Sequence, residues 1–71
     1  MYYETFAQKL KQARFETGFT QREVAEMIKI NHSTLAGYET GRTQPDIETL
    51  GKLIDLYGIS ADWLLGTKGG K

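Results

Sequence analysis

Apolar residues recur along this chain at intervals of three and four, interrupted by glycines and cap-type residues, and the pattern predicts helices throughout. Phe6, Leu10 and Ala13 form one stripe (i, i+4, i+7) of a helix over about Tyr3–Thr17, with Gly18 where a left-handed C-terminal cap is wanted. Thr20 with Glu23 three residues on is a capping box, in which hydroxyl and carboxylate each satisfy an orphan backbone N–H at a helix start. The helix it opens turns Val24, Ala25 and Ile28 inward. After a connection at Lys29 and Ile30, Asn31 is placed to cap a third helix, about His32–Thr40, with Leu35 and Tyr38 on its inner face and Gly41 at its end. The loop Arg42–Pro45 leads to Asp46, the next N-cap. The fourth helix, to about Tyr57, is expected to bury Ile47, Leu50, Leu53, Ile54 and Tyr57, and Gly58 stops it. Ser60 caps a short fifth helix, Ala61–Leu65, which offers Trp63 and Leu64 to the core. The expected organisation is one all-α domain of five helices over residues 1–66 and a flexible glycine- and lysine-rich tail at 67–71. There is no internal repeat and no sign of a second domain.

Residues 20–41 carry the functional signal. Two short helices are joined by a turn of three or four residues, and Ala25, small and at the fifth position of the first, lets the second cross it closely at a steep angle. That is helix-turn-helix geometry, which projects the second helix into a major groove. At about 100° per residue, with Leu35 and Tyr38 inward, Ser33, Ala36, Gly37 and Thr40 point outward, and Asn31 and His32 sit at the N-terminal tip. His32 and Ser33 can hydrogen-bond to base edges, and Ala36 can touch a thymine methyl. Gly37 costs about 1 kcal/mol of helix propensity. Either it allows close approach of the backbone to DNA, or a small residue is simply tolerated there. The outward stripe carries no Gln, Asn, Arg or Lys, so specificity would rest on Asn31, His32 and Ser33, on water and on DNA shape. The same small-residue stripe could instead pack against a partner helix.

Composition narrows the field. A chain of 71 residues buries about 60% of its unfolded surface. Without cysteine, disulfides and thiolate metal sites are excluded, which suits a reducing cytosol. No apolar run approaches the roughly 18 residues of a membrane helix, and Met1–Phe6 has no signal-peptide pattern, so a cytoplasmic protein is expected, associated with the nucleoid when bound to DNA. Nine Lys and Arg balance nine Asp and Glu. That neutrality counts against tight nonspecific DNA binding, but not against a locally basic face. A single histidine, scattered acids and no phosphate loop or nucleophile motif argue against an enzyme, and no cofactor, metal, small-molecule ligand or membrane partner is expected.

The run Leu10–Lys11–Gln12–Ala13–Arg14, then Gly18–Phe19–Thr20–Gln21, Ala25, Tyr38–Glu39–Thr40–Gly41–Arg42, Pro45, Leu50 and Ile59–Ser60–Ala61–Asp62–Trp63–Leu64–Leu65–Gly66 together resemble the phage repressor and Cro family, the XRE type, over about residues 6–66. The resemblance implies the lambda-repressor-like fold and a bacterial or phage transcription regulator. It implies binding of a double-stranded DNA operator as a homodimer, which would repress transcription by occlusion, the expected role, or activate it by touching polymerase. It implies base-edge positions at His32, Ser33 and Gly37, joined by Asn31 and Ala36. Gln21 matches a phosphate-binding position, the alternative being an exposed polar helix start. Arg42, Thr43 and Gln44 form a loop that commonly grips the backbone, and Arg22, Lys29, Thr34 and Thr40 complete the expected phosphate set, with Lys9 and Lys11 as further candidates for the basic rim. Arg14 and Glu39 match an ion pair that holds the third helix against the first; otherwise they are two separate surface charges.

Two residues depart from the family. Glycine is usual at the position of Lys29, where a left-handed backbone would cost lysine roughly 1 kcal/mol. Phe15 lies nearly opposite Phe6 and Leu10, either exposed at a partner surface or wrapped under the N-terminal residues. The runner-up function is a protein-interaction module on the same fold, antitoxin-like or bridging.

Overall fold

The computed structural model describes residues 2–66, with side chains from residue 6 onward. Five helices follow in order: α1 (Tyr2–Thr17), α2 (Gln21–Ile28), α3 (His32–Thr40), α4 (Ile47–Tyr57) and α5 (Ala61–Leu65). Their starts are written in side chains. Thr20 Oγ1 accepts the Glu23 N–H at 3.1 Å while Glu23 Oε1 accepts the Thr20 N–H at 2.8 Å, closing the capping box of α2. Asp46 accepts the Thr49 N–H at 2.9 Å and Ser60 the Trp63 N–H at 3.0 Å. Asn31 occupies the N-cap of α3 with extended backbone, but its side chain makes no capping hydrogen bond, contrary to the capping role expected of it.

The helices end in left-handed residues. Gly41 does so for α3, and Lys29, at φ 60 and ψ 52, does so for α2. Among the described residues Lys29 is the one non-glycine with positive φ. Its Cβ crowding costs roughly 1–2 kcal/mol. The turn is held regardless, because the Lys29 N–H and, at 2.9 Å, the Ile30 N–H both donate to the Ala25 carbonyl, and Ile30 packs against the core.

The core joins Phe6, Leu10 and Ala13 of α1 to Val24 and Ile28 of α2, Leu35 and Tyr38 of α3, Leu53 and Tyr57 of α4 and Leu64 of α5. α1 packs on α3, α4 and α5, and α2 on α3 and α4, so α3 is clasped by the two helices that precede it. Burial of each of Leu10, Leu35, Leu53 and Leu64 contributes about 1.5–3 kcal/mol. Ala25 is buried on α2, which packs against α3, and a larger side chain in its place would find no room.

Two expected core residues stand outside it. Ile47 is 88% exposed. It shares the inward angle of Leu50 and Ile54 but lies in the first turn of α4, beyond the reach of the helices that cover the rest of that face. Trp63 is half-exposed and carries the Lys9 ammonium 5.3 Å from its ring centre, and Lys9 Nζ donates to the Trp63 carbonyl at 2.7 Å. Leu64, one residue on, takes the inward place on α5. No helix among the described residues is long and apolar enough to cross a membrane. The tail expected at 67–71 lies outside the described residues.

Candidate nucleic-acid interface

The site is built outward from a buried charge. Arg14 of α1 meets Glu39 of α3 through two bonds, Nε to Oε2 at 2.7 Å and Nη2 to Oε1 at 3.1 Å. The remaining guanidinium edge donates from Nη1 to the Phe19 carbonyl at 2.9 Å. Both side chains are almost wholly buried, so the pair escapes the solvent screening that makes surface ion pairs worth little. The alternative of two separate surface charges is thereby removed. The Tyr57 hydroxyl at the end of α4 is also buried and has no hydrogen-bond partner among the described residues. Burial first, and then the Glu39 charge, push its phenol well above the ordinary tyrosine range, against a smaller opposite pull from Arg14.

From this pair a chain of polar side chains leads to the surface. Gln21, the first residue of α2, donates from Nε2 to Glu39 Oε1 at 3.0 Å. Its Oε1 lies 3.1 Å from His32 Nε2 at the start of α3. Arg14, Glu39, Gln21 and His32 thus connect three helices in one line, and the exposed His32 ring is tethered from behind. Gln21 is half-buried within this line, so neither of its earlier readings, phosphate ligand or bare polar helix start, describes the whole of its role. Asn31 and Ser33 flank His32 and are exposed; Ala36, one turn further, is half-buried.

The far end of α3 departs from the expected outward stripe. Gly37 is buried, not outward, and a Cβ built on it would lie 2.8 Å from Thr43 Oγ1. The reason lies in its carbonyl. It accepts the N–H groups of Gly41, of Arg42 at 3.0 Å and of Thr43 at 3.3 Å, together with the Thr40 hydroxyl at 3.2 Å. The loop therefore folds back over Gly37, and the close approach that glycine permits is to the chain's own Thr43. Beside it, Ser33, Thr34, Gly37, Tyr38, Arg42 and Thr43 line a hollow of about 330 Å³, which Gln44 completes.

Of the other expected phosphate ligands, Arg22, Lys29, Thr40, Arg42, Thr43 and Gln44 are exposed and Thr34 is half-buried. Lys11 stands 5.8 Å and the Arg14 guanidinium 4.7 Å from the ring of Phe15, which is 60% exposed. Asp46, on the loop that closes the hollow, is held below the ordinary carboxylate range by hydrogen bonds from the Thr49 hydroxyl and N–H, with a smaller pull from Lys52. Burial, and then the charge of Asp46, raise the Tyr38 phenol. Among the described residues no group of three or more His, Cys, Asp and Glu side chains could hold a metal ion. The surface offers hydroxyls, amides, an imidazole and guanidinium and ammonium cations, which is chemistry for recognition. Tyr57 is buried as expected, but its unpartnered hydroxyl and the Gln21–His32 link had no signal in the sequence, because nothing in a single-residue pattern shows which side chains meet across three helices.

A helix-turn-helix family model matches residues 10–64. The chain is 44% identical over 62 residues to the HTH-type transcriptional regulator ImmR of Bacillus subtilis (strain 168), covering 87% of this chain and 49% of that protein. It is 37% identical over 54 residues to the cryptic phage CTXphi transcriptional repressor RstR of Vibrio cholerae, covering 76% of this chain and 49% of that one. The structure of the clp gene regulator ClgR from C. glutamicum superposes with a TM-score of 0.81 at 28% identity, covering 92% of this chain and 83% of that one. The chain spans about half the length of the curated relatives it matches.

Proposed function

The chain belongs to the helix-turn-helix family, in the repressor and Cro type its residues resemble, and from that premise we propose that it binds specific sequences in double-stranded DNA and regulates transcription as a repressor. α3 enters a major groove with its N-terminal end foremost. Asn31, His32 and Ser33 meet base edges, and Ala36 meets a thymine methyl. Gly37 serves as the seat of Thr43. Arg22, Lys29 and Arg42 supply charge to the phosphates, and the start of α2 at Gln21 with Thr34, Thr40, Thr43 and Gln44 supplies neutral donors. Two copies bind one operator, with half-sites about 34 Å apart or a multiple of that.

One observation carries this reading. Three exposed polar residues stand in a row at the start of α3, and that start is tied from behind to a buried ion pair. A helix end made rigid where it is exposed, with the Asn31 amide unused as a cap, is prepared for a partner outside the chain. The names of the relatives, transcriptional regulator and repressor, support the same reading.

The test is selection of bound sites from a random duplex pool at low salt, followed by a salt titration on the enriched site. A palindromic motif is expected. Three cations on each of two copies give a slope of log K against log salt of about −5, at about 0.9 per phosphate neutralised. A folded protein that enriches no motif and shows no salt slope would overturn the proposal. The exposed Phe15, ringed by Lys11 and Arg14, favours a second reading in which the same fold docks on a protein. That reading gains if DNA binding fails.

A further inference from the structure

The buried ion pair dictates the direction of every hydrogen bond in the line that ends at His32. Glu39, 2.7 Å from Arg14, is a carboxylate and can only accept. Its Oε1 lies 3.0 Å from the Gln21 amide, so that amide must turn its nitrogen to Glu39 and its oxygen to His32. The flipped amide would set two acceptors against each other. An amide oxygen also only accepts, and the ring atom 3.1 Å from it is Nε2. The ring proton therefore sits on Nε2. In the neutral imidazole this leaves Nδ1 with a lone pair and no hydrogen.

We infer that the line Arg14–Glu39–Gln21 fixes His32 as a hydrogen-bond acceptor toward DNA, so that it selects an exocyclic amino group, adenine N6 or cytosine N4, at the base it meets. Guanine N7 and O6 and thymine O4 are acceptors on the major-groove edge and would face the Nδ1 lone pair. The inference rests on the reading of α3 as the DNA-reading helix and adds to it that base choice is set by residues that need touch no base. Gln21 is thus a positioning residue for specificity.

Two measurements test it. The sequence contains one histidine, so ring nitrogen–proton correlation by NMR on the untagged full chain, at about pH 8 where a histidine ring is ordinarily neutral, reports His32 directly. We expect a single tautomer with Nε2 protonated, and a mixture of tautomers in Gln21→Met. A ring protonated at Nδ1, or identical tautomer populations in the two proteins, overturns the inference without touching the DNA reading. On DNA, the contacted base pair is the one whose preference disappears in His32→Ala. Deleting its amino group, with purine for adenine or 2-pyrimidinone for cytosine, should weaken wild-type binding about fivefold or more and leave His32→Ala unchanged. Deleting purine N7 at that pair should leave the wild type unchanged. Sensitivity to N7 in place of the amino group overturns the inference while the enriched site keeps the DNA reading standing. Failure to enrich any site overturns base selection together with that reading.

Discussion

The two ends of α3 are secured by opposite means. At its N-terminal end, His32 is tethered through Gln21 of α2 to Glu39 in the last turn of the same helix, and through Glu39 to Arg14 of α1, so the exposed tip depends on side chains distant in sequence. At its C-terminal end, Gly37 is wrapped by Gly41, Arg42 and Thr43 through backbone bonds within one short segment. A side-chain mooring can be cut by one substitution and leaves a charge buried behind it. A backbone mooring survives most substitutions and yields only where a Cβ has no room. The end proposed to read bases is therefore the more vulnerable one, and the end proposed to grip phosphates the more tolerant.

The largest effect should come from cutting the first mooring. Glu39→Ala strands the Arg14 guanidinium in the interior and should cost about 3–5 kcal/mol by urea unfolding. That is a large share of the roughly 5–15 kcal/mol that holds a small domain together. A loss under about 1 kcal/mol would mean that the pair secures little. Tyr57→Phe probes the same end in the opposite direction. Removing a buried hydroxyl that has no partner among the described residues should stabilise by about 1 kcal/mol. It also has a pH signature. The folded phenol ionises at higher pH than the unfolded one, so its contribution is complete below the ordinary value of 10.0 and is lost as pH rises beyond it. Wild-type stability should fall in that alkaline window, and the fall should be smaller in Tyr57→Phe.

Lys29→Gly, in the turn that leads into the moored end, should add roughly 1 kcal/mol by relieving the left-handed backbone. An unchanged melting temperature would show that the turn carries no strain. The smallest effect is expected at the tolerant end. Gly37→Ala gains about 1 kcal/mol of helix propensity but must displace the Thr43 hydroxyl. Alone it should be near neutral; in a Thr43→Ala background the gain should appear. The same value in both backgrounds would remove Thr43 as the reason for the glycine.

Much of this fold was legible in the chain because helix boundaries are coded locally. Thr20, Asp46 and Ser60 cap where cap chemistry places them, and Gly41 stops α3 as expected. The departures share one physical cause. Periodicity gives the angle of a residue around its helix, not how far neighbouring elements extend along it. Ile47 has the right angle and little cover from the described residues, while Gly37 has the wrong angle and is covered by a loop that returns over it. The Arg14–Glu39 contact could be named from resemblance, but its extension through Gln21 to His32 could not, since each link depends on where three helices bring their side chains.

Glu39 is a junction at which side chains from two helices, α1 and α2, converge on one carboxylate of a third. Positions 14, 21 and 39 are therefore not free to vary one at a time. A change at any of them leaves a donor or a charge stranded, and the cost of two changes differs from the sum of each alone. Among descendants of this domain these positions should be inherited as a set, while Asn31 and Ser33, outside the junction, are free to diversify. A lineage could then acquire a new target sequence at the tip while carrying the junction through unchanged.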